Sequence, residues 1–306
     1  MWSDGGSYAG IYLSANIFLN GNSFAGAMGC ALPLSWVATP PSTTNLSCFG
    51  PNSQLYNILP ADLEGSPSQV PFSTAPLNTP GIYVQFVNSG SASGSTLNLY
   101  KYSGLTGGGL VGPTSISVPT YHEACGGGTC VPQSGTSRQL DSLGDRLMYR
   151  LSYLGSLDQM VVNHSVQINS SSNQTGVRWY VITHPGGSPS VTEKGTFAPT
   201  SSYRWMGSIA QDKYGDLGLG YSTSSSTAHP GLSVTGRIPG DAVNTLEPEA
   251  SVCVGPGSQT SASRWGDYTS TAVAPDGCTF WYVNQYATSS GTWKTRISNF
   301  KFTSCI

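Results

Sequence analysis

The sequence predicts an all-β protein, most specifically a β-propeller of five blades. Two observations support this prediction. Apolar strand-like segments recur along the chain, and the two that begin at Arg204 and Arg264 lie 60 residues apart, a spacing typical of repeat architectures. Each such segment is followed by a tight turn and by further strands rich in Tyr, Val and Asn. This order is expected for propeller blades, which cover one another's faces.

The repeats are read from strands with alternating or β-branched and aromatic residues. The clearest strand segments are residues 10–18, 81–88, 97–102, 146–151, 160–166, 176–182, 204–212, 217–222, 232–237, 264–273, 279–284 and 294–302. They group into five blades at about 1–40, 61–120, 143–195, 200–240 and 263–306, with a loop at 41–60 and insertions at 121–142 and 241–262. The linkers are short, so residues 1–306 are predicted to form a single domain.

Other architectures stay open at this point. A six-bladed propeller follows if the region 41–80 hides a further strand pair. A β-sandwich or a β-solenoid is the alternative all-β fold, although the long second repeat disfavours a regular solenoid.

The composition limits the functional classes. Only 9% of the residues are charged and the net charge is -2, which argues against a nucleic-acid partner. The sequence contains no run of about 18 apolar residues, so no membrane-spanning helix is predicted. No signal peptide is visible, and the chain is expected to begin inside a blade, because Trp2 to Gly5 align with the turn after the first strand of the other repeats.

Seven cysteines in a Gly/Ser/Thr-rich chain indicate an oxidising compartment, and hence a secreted, extracellular protein. The expected pairs are Cys125 with Cys130, Cys278 with Cys305, and Cys30 with Cys48, which leaves Cys253 unpaired. The CxxC spacing typical of zinc sites is absent, so zinc is not expected. No metal-ligating residue and no cofactor are predicted.

Polar residues that head the first strand of each blade are the first candidates for a site, because these strands line a propeller's channel. Two carboxylates flanking a glycosidic bond can act as acid and base or nucleophile, and arginines can hold acidic sugars. The predicted catalytic residues are Asp145, Asp267 and Glu249, and the predicted ligand-binding residues are Asp62, Arg146, Arg204, Arg264, Glu123 and His122.

The expected partner is therefore a glycan or polysaccharide, which the protein would bind and, if it is an enzyme, hydrolyse as a glycoside hydrolase. The alternative is a non-catalytic surface or assembly module, in which neighbours such as Asp145 and Arg146, or Arg264 and Asp267, are structural ion pairs. If the first blade lacks a strand, its groove could accept a strand from another copy, which would give self-association.

Several conspicuous residues receive structural interpretations. Trp179, Trp205, Trp265 and Trp281 occupy matching repeat positions and are expected in the core, although Trp205 or Trp265 could stack on a sugar. Asp212 and Asp276 are expected to form turns, with calcium binding there only weakly indicated because no Asp-rich loop is present. His164 is expected to be a core residue whose ring nitrogens have partners.

The segment 264–268 (Arg-Trp-Gly-Asp-Tyr), followed by 274–276 and 279–282, resembles a motif of large, mostly uncharacterised secreted bacterial proteins. The segments 145–151 and 204–210 resemble the same family. The family is similar in style to sialidase-like propellers. The resemblance covers most of the chain from about residue 140 and implies a secreted propeller, but no particular enzyme class.

Overall fold

The computed structural model describes residues 1–39, 46–64, 74–88, 92–267 and 269–305. Strands account for 56% of the chain and helices for 4%, so the protein is all-β. Tyr268, the last residue of the Arg-Trp-Gly-Asp-Tyr motif, lies outside the described residues.

The regular elements are strands of four to thirteen residues and a few helical turns. The strands are β1 (Gly10–Leu19), β2 (Ser23–Pro33), β3 (Ser47–Asn52), β4 (Leu59–Leu63), β5 (Gly81–Phe86), β6 (Ser93–Tyr102), β7 (Leu110–His122), β8 (Thr129–Gln133), β9 (Thr136–Asp141), β10 (Met148–Leu154), β11 (Gln159–Gln167), β12 (Thr175–Thr183), β13 (Ser190–Phe197), β14 (Tyr203–Gln211), β15 (Leu217–Ser225), β16 (Ala228–Arg237), β17 (Ala250–Val254), β18 (Ser270–Val273), β19 (Phe280–Ala287) and β20 (Trp293–Phe300). The helical segments are α1 (Ser35–Ala38) and three 3₁₀ turns, Gly104–Thr106, Ala124–Gly127 and Gly155–Leu157.

The strands follow one another as antiparallel neighbours in five runs: β1–β3, β4–β7, β10–β13, β14–β17 and β18–β20. β8 and β9 form a separate hairpin. Three predicted irregular regions contain strands: β3 lies in the loop 41–60, the hairpin lies in the insertion 121–142, and β17 lies in the insertion 241–262. These strands are short and polar or interrupted by Gly and Pro, so they lack the alternation from which the other strands were predicted.

Two of the runs are joined into one sheet. β4 and β10 pair in parallel, with Leu151 opposite Ala61 and Tyr153 opposite Leu63. The resulting order β13-β12-β11-β10-β4-β5-β6-β7 gives an eight-stranded sheet that folds back until β13 contacts β7, so the sheet is nearly closed and barrel-like.

Glycines in the strands let neighbouring sheets approach closely. A Cβ added at Gly218 or Gly220 of β15 would lie 2.5 Å or less from the ring of Phe280 or Tyr282 in β19. A Cβ at Gly81 of β5 would meet the Tyr12 ring at 2.1 Å. The aromatic rings therefore occupy the space that side chains at these positions would fill, which is one use of glycine inside a strand.

The predicted tryptophan core is correct for three of its four members. Trp179, Trp205 and Trp265 are buried, but Trp281 is 45% exposed. Alternation along β19 is the reason: Phe280 and Tyr282 are buried on one face, and Trp281 between them points to the other.

The three expected disulfide bonds, Cys30–Cys48, Cys125–Cys130 and Cys278–Cys305, are all present. Cys253 has a free thiol. These bonds fit the oxidising compartment that the cysteine count indicates. Within the described ranges, no helix combines the length and the apolar character that a membrane span requires.

Candidate functional site

A cleft of about 980 Å³ opens where the leading segments of four strand runs meet, and we call it the central cleft. Its lining comes from β1, from the stretch that leads into β4, from the start of β10, and from the stretch before β18. Its lining includes the side chains of Tyr12, Asn16, Phe18, Asn57, Arg146, Tyr149, Arg264 and Asp267.

Arg146 brings the first predicted ion pair to this cleft. Its Nε donates to Asp145 Oδ1 at 2.8 Å and its Nη2 donates to Asp145 Oδ2 at 2.9 Å. Both carboxylate oxygens thus accept from one guanidinium, the bidentate arrangement in which Arg holds a carboxylate most firmly. The Asp145 carbonyl accepts a hydrogen bond from Asn57 Nδ2, which fixes the loop against the approach to β4.

Arg264 and Asp267 form the second predicted pair, in which both Nε and Nη2 of the arginine donate to Oδ2 of the carboxylate. They also line a second cleft of about 540 Å³, which we call the side cleft. The side cleft runs along one face of β19 and β20, with Gln285 and Trp293 in its lining. Because the two clefts share Arg264 and Asp267, they form neighbouring parts of one depression.

Aromatic rings and amides line the clefts together with aliphatic side chains such as Leu13 and Leu143. Tyr149 is 47% exposed in the central cleft, and Trp293 is 62% exposed in the side cleft. Asn16 and Asn57 form two hydrogen bonds, since Asn16 Nδ2 donates to Asn57 Oδ1 and the backbone N–H of Asn57 donates to Asn16 Oδ1 at 3.1 Å. Exposed rings beside planar hydrogen-bonding groups form a surface that can pack on an apolar face and bind hydroxyls.

Glu249 lies in a different part of the molecule, outside the lining of both clefts. It accepts two hydrogen bonds from the buried Arg204, at 2.9 and 2.5 Å, and one from the Tyr221 hydroxyl at 2.8 Å. The hydrogen bonds from Arg204 are the main cause that lowers the pKa of Glu249. A carboxyl held ionised by a guanidinium is poorly suited to donate a proton as a general acid.

Asp62 also pairs with an arginine, but one that was not predicted. Its Oδ2 lies 3.2 Å from Arg150 Nε, and its Oδ1 accepts from the Met1 amino group at 2.5 Å. Arg150 Nη1 donates to the buried Glu64 at 3.1 Å, and the Ser152 hydroxyl donates to the same carboxylate at 2.6 Å. Burial raises the pKa of Glu64, and Arg150 opposes that rise.

Glu123 and His122 lie at the end of β7, and neither lines the central cleft or the side cleft. Glu123 is buried and accepts a hydrogen bond from Asn88 Nδ2. Burial is the main cause that raises its pKa, and the nearby Asp145 charge raises it further. His122 is half-buried.

The structure brings Arg146, Arg264 and Asp267 to the lining of one cleft. Asp145 is paired with Arg146 and lies near Glu123, and Asp62 interacts with Tyr149, but these carboxylates, His122, Arg204 and Glu249 are outside the lining. Each of the three predicted catalytic carboxylates belongs to a separate ion pair with an arginine. Sequence reasoning missed Tyr149, Trp293 and the Asn16–Asn57 pair. Tyr149 is exposed between buried Met148 and Arg150, but the rest of β10 is buried on both faces, so no alternation along this strand marks Tyr149 in the sequence.

Comparisons with known proteins leave the family open. No family model matches this sequence, and no curated protein matches it. A solved structure of a protein of unknown function from Dyadobacter fermentans is similar over 100% of this chain and 82% of its own, at 12% identity and a TM-score of 0.42. The resemblance to secreted bacterial propeller proteins therefore stays a prediction.

Proposed function

We propose that this protein is a secreted glycan-binding β-propeller that holds a saccharide in the central cleft without hydrolysing it. Five consecutive antiparallel strand runs support the five-blade arrangement, and the leading segments of four of these runs meet at one cleft, as the first strands of blades do around a propeller channel. The observation that supports glycan binding most strongly is the composition of this cleft, with an exposed Tyr149 ring beside Arg146, Arg264 and paired asparagines.

Binding is favoured over hydrolysis by the state of the carboxylates. A glycoside hydrolase needs two carboxyl groups about 5–10 Å apart with access to the scissile bond. Asp145 and Asp267 instead have guanidinium partners at or beside the cleft, and Glu249 lies outside it. Because these carboxylates are paired with arginines, the cleft presents guanidinium edges and aromatic rings to a ligand. An acidic saccharide is the best match, because its carboxylate can accept from the guanidinium groups.

We expect Tyr149→Ala and Trp293→Ala each to weaken glycan binding about three- to tenfold, because each removes one stacking face worth about 0.5–1.5 kcal/mol. A glycan array identifies the ligand, and titration calorimetry compares the variants with Tyr214→Ala, which removes a 51% exposed ring outside both clefts. Equal affinities in all three variants, or no binding to any glycan, would contradict the proposal. Release of reducing ends by the wild type and not by Asp267→Asn would instead indicate a hydrolase.

Self-association is the second candidate function, and the exposed face of the last sheet favours it. Trp281, Trp293 and Ile297 lie on the same face of β19 and β20, as their register and the alternation along both strands require. Exposed apolar patches of this kind often mark interfaces. We expect Ile297→Lys to weaken any self-association at least about tenfold, measured as mass by light scattering across concentrations. A wild type that stays monomeric at every concentration would exclude this candidate.

A further inference from the structure

The turn between β14 and β15 contains two buried carboxylates, Asp212 and Asp216. Their exposed fractions are 0% and 1%. The turn lies against the last sheet, since the Lys213 amide donates to the Gly277 carbonyl at 2.8 Å. The sequence predicts a turn-forming role for Asp212 and indicates calcium binding there only weakly. The turn-forming role is confirmed, because Asp212 Oδ1 accepts the amides of Tyr214 and Asp216 at 2.8 and 3.0 Å.

The second oxygen of Asp212 is not explained by the turn. Asp212 Oδ2 is fully buried and accepts no hydrogen bond from any residue that the structure describes. Its neighbour Asp216 accepts one hydrogen bond, from the Ser304 hydroxyl to Oδ2 at 3.0 Å. None of the ion pairs found in the described part of the chain includes either carboxylate. Two acidic groups that interact with one another therefore lie in the interior, and within the described ranges neither has a guanidinium or ammonium ion-pair partner.

Burial of two such groups is unfavourable unless a positive charge or a proton compensates them. Burial is the main cause that raises the pKa of Asp212 to about 7, and Asp216 adds to the rise. The pKa of Asp216 is raised too, by burial and by the charge of Asp241. A bound cation or a shared proton would each remove this penalty.

The donor atoms around Asp212 distinguish the kinds of cation. Carboxylate and hydroxyl oxygens are ligands for hard cations such as Ca²⁺. The sulfur atoms of Cys278 and Cys305 lie within 4.8 Å of an Asp212 carboxylate oxygen. They are bonded to each other in a disulfide, so they supply no thiolate for zinc. The disulfide instead fixes the segment that brings Ser304 to Asp216.

We propose that Asp212 and Asp216 bind a hard divalent cation of the Ca²⁺ class at the junction of the last two sheets, with the Ser304 hydroxyl as a further oxygen donor. The cation would join the β14–β15 turn to the disulfide-bonded C-terminal segment. This site is separate from both clefts, whose linings include none of the three residues. The proposed cation site is therefore independent of the proposed glycan binding, and each can be tested without the other.

The test is the melting temperature of chelator-treated protein at pH 7.5, with and without CaCl₂, together with titration calorimetry. We expect Ca²⁺ at 100-fold above its Kd to raise the melting temperature of the wild type by about 5 °C and to give a one-site isotherm. Asp212→Asn should lose both responses. The control Asp276→Asn changes an exposed Asp of the next turn, whose Oδ1 accepts the Cys278 and Thr279 amides, and should keep the Ca²⁺ response.

A second outcome would overturn the proposal. If Ca²⁺ and Mg²⁺ give no heat and no shift, and the wild type alone gains stability over Asp212→Asn as the pH falls from 8 to 5, the two carboxylates share a proton. A Ca²⁺ response that survives in Asp212→Asn would also overturn it, because the cation would then bind elsewhere.

Discussion

Replacing Arg150 with Met is expected to lower the free energy of unfolding by about 3–5 kcal/mol, the largest effect of any change considered for this protein. Arg150 and Glu64 are both buried, with 3.1 Å between Nη1 and Oε2. Met fills a similar volume but leaves Glu64 without its guanidinium. An uncompensated buried carboxylate must then ionise at high cost or take up a proton.

The position of Arg150 increases this effect. The guanidinium also donates to the Leu63 carbonyl at 3.2 Å and lies beside Asp62. These contacts occur where β4 and β10 pair in parallel, the one connection that makes two strand runs into an eight-stranded sheet. The loss should therefore affect the cooperative unfolding of the whole sheet, and urea denaturation followed by circular dichroism measures it.

The matched control is Arg146→Met, only four residues away in sequence. Arg146 and Asp145 form a bidentate pair whose side chains are 35% and 40% exposed, and exposed pairs contribute about 0–1 kcal/mol. A second variant, Arg150→Met combined with Glu64→Leu, should regain much of the lost stability because it also removes the buried carboxylate that Arg150→Met leaves without a partner. Equal losses in Arg150→Met and Arg146→Met would show that burial of the pair has no special importance.

The same residues show what the sequence could and could not predict about charges. Asp145–Arg146 and Arg264–Asp267 are one and three positions apart, so their pairing was available as an alternative from the local sequence. Asp62 and Arg150 are separated by 88 positions and meet only because β4 pairs with β10. Parallel pairing between distant strands leaves no local pattern, so Asp62 was predicted to bind a ligand whereas it contacts an internal arginine.

Whether a strand could be predicted from the sequence depended on how much of it is buried. Strands such as β5 and β11 were found because they are rich in β-branched and aromatic residues, which fits their burial on both faces. β3 and β17 were assigned to loops because their residues are mostly exposed or half-exposed, and neither has a continuous apolar face. The glycines of β15 were read as part of a strand, but their contact with Phe280 and Tyr282 requires knowledge of which sheets are neighbours.

The second large expected effect is a loss of stability in acid, which we attribute to His164. His164 is buried between the rings of Phe86, Tyr121 and Tyr180. Its Nε2 lies 3.1 Å from the Tyr180 hydroxyl, while its Nδ1 has no hydrogen-bond partner among the residues that the structure describes. The sequence interpretation of a core histidine is thus correct, but only one ring nitrogen has a partner. Burial is the main cause that lowers the pKa of His164 to about 3.

The direction of the pH effect follows from proton uptake. An unfolded chain binds a proton at this histidine below about pH 6.5, whereas the folded protein does not until about pH 3. Between these values the unfolded state holds more protons, so the free energy of unfolding falls as the pH falls. Above pH 6.5 neither state is protonated and the contribution is complete. The slope is about 1.4 kcal/mol per pH unit, or about 2–3 kcal/mol between pH 6.5 and 4.5.

The variant His164→Phe isolates this contribution, because Phe fits an aromatic cluster and does not titrate. The measured quantity is the difference in unfolding free energy between wild type and variant at several pH values, in chelator-treated protein. Taking the difference cancels the opposite pH effect of Asp212, whose raised pKa favours the folded state as the pH falls. The wild type should lose stability relative to His164→Phe by about 2–3 kcal/mol on going from pH 6.5 to 4.5. If the unfolding free energies of the two proteins change in parallel with pH, water reaches His164 and allows it to be protonated in the folded state. The variant His122→Phe controls for the loss of a histidine at a half-buried position.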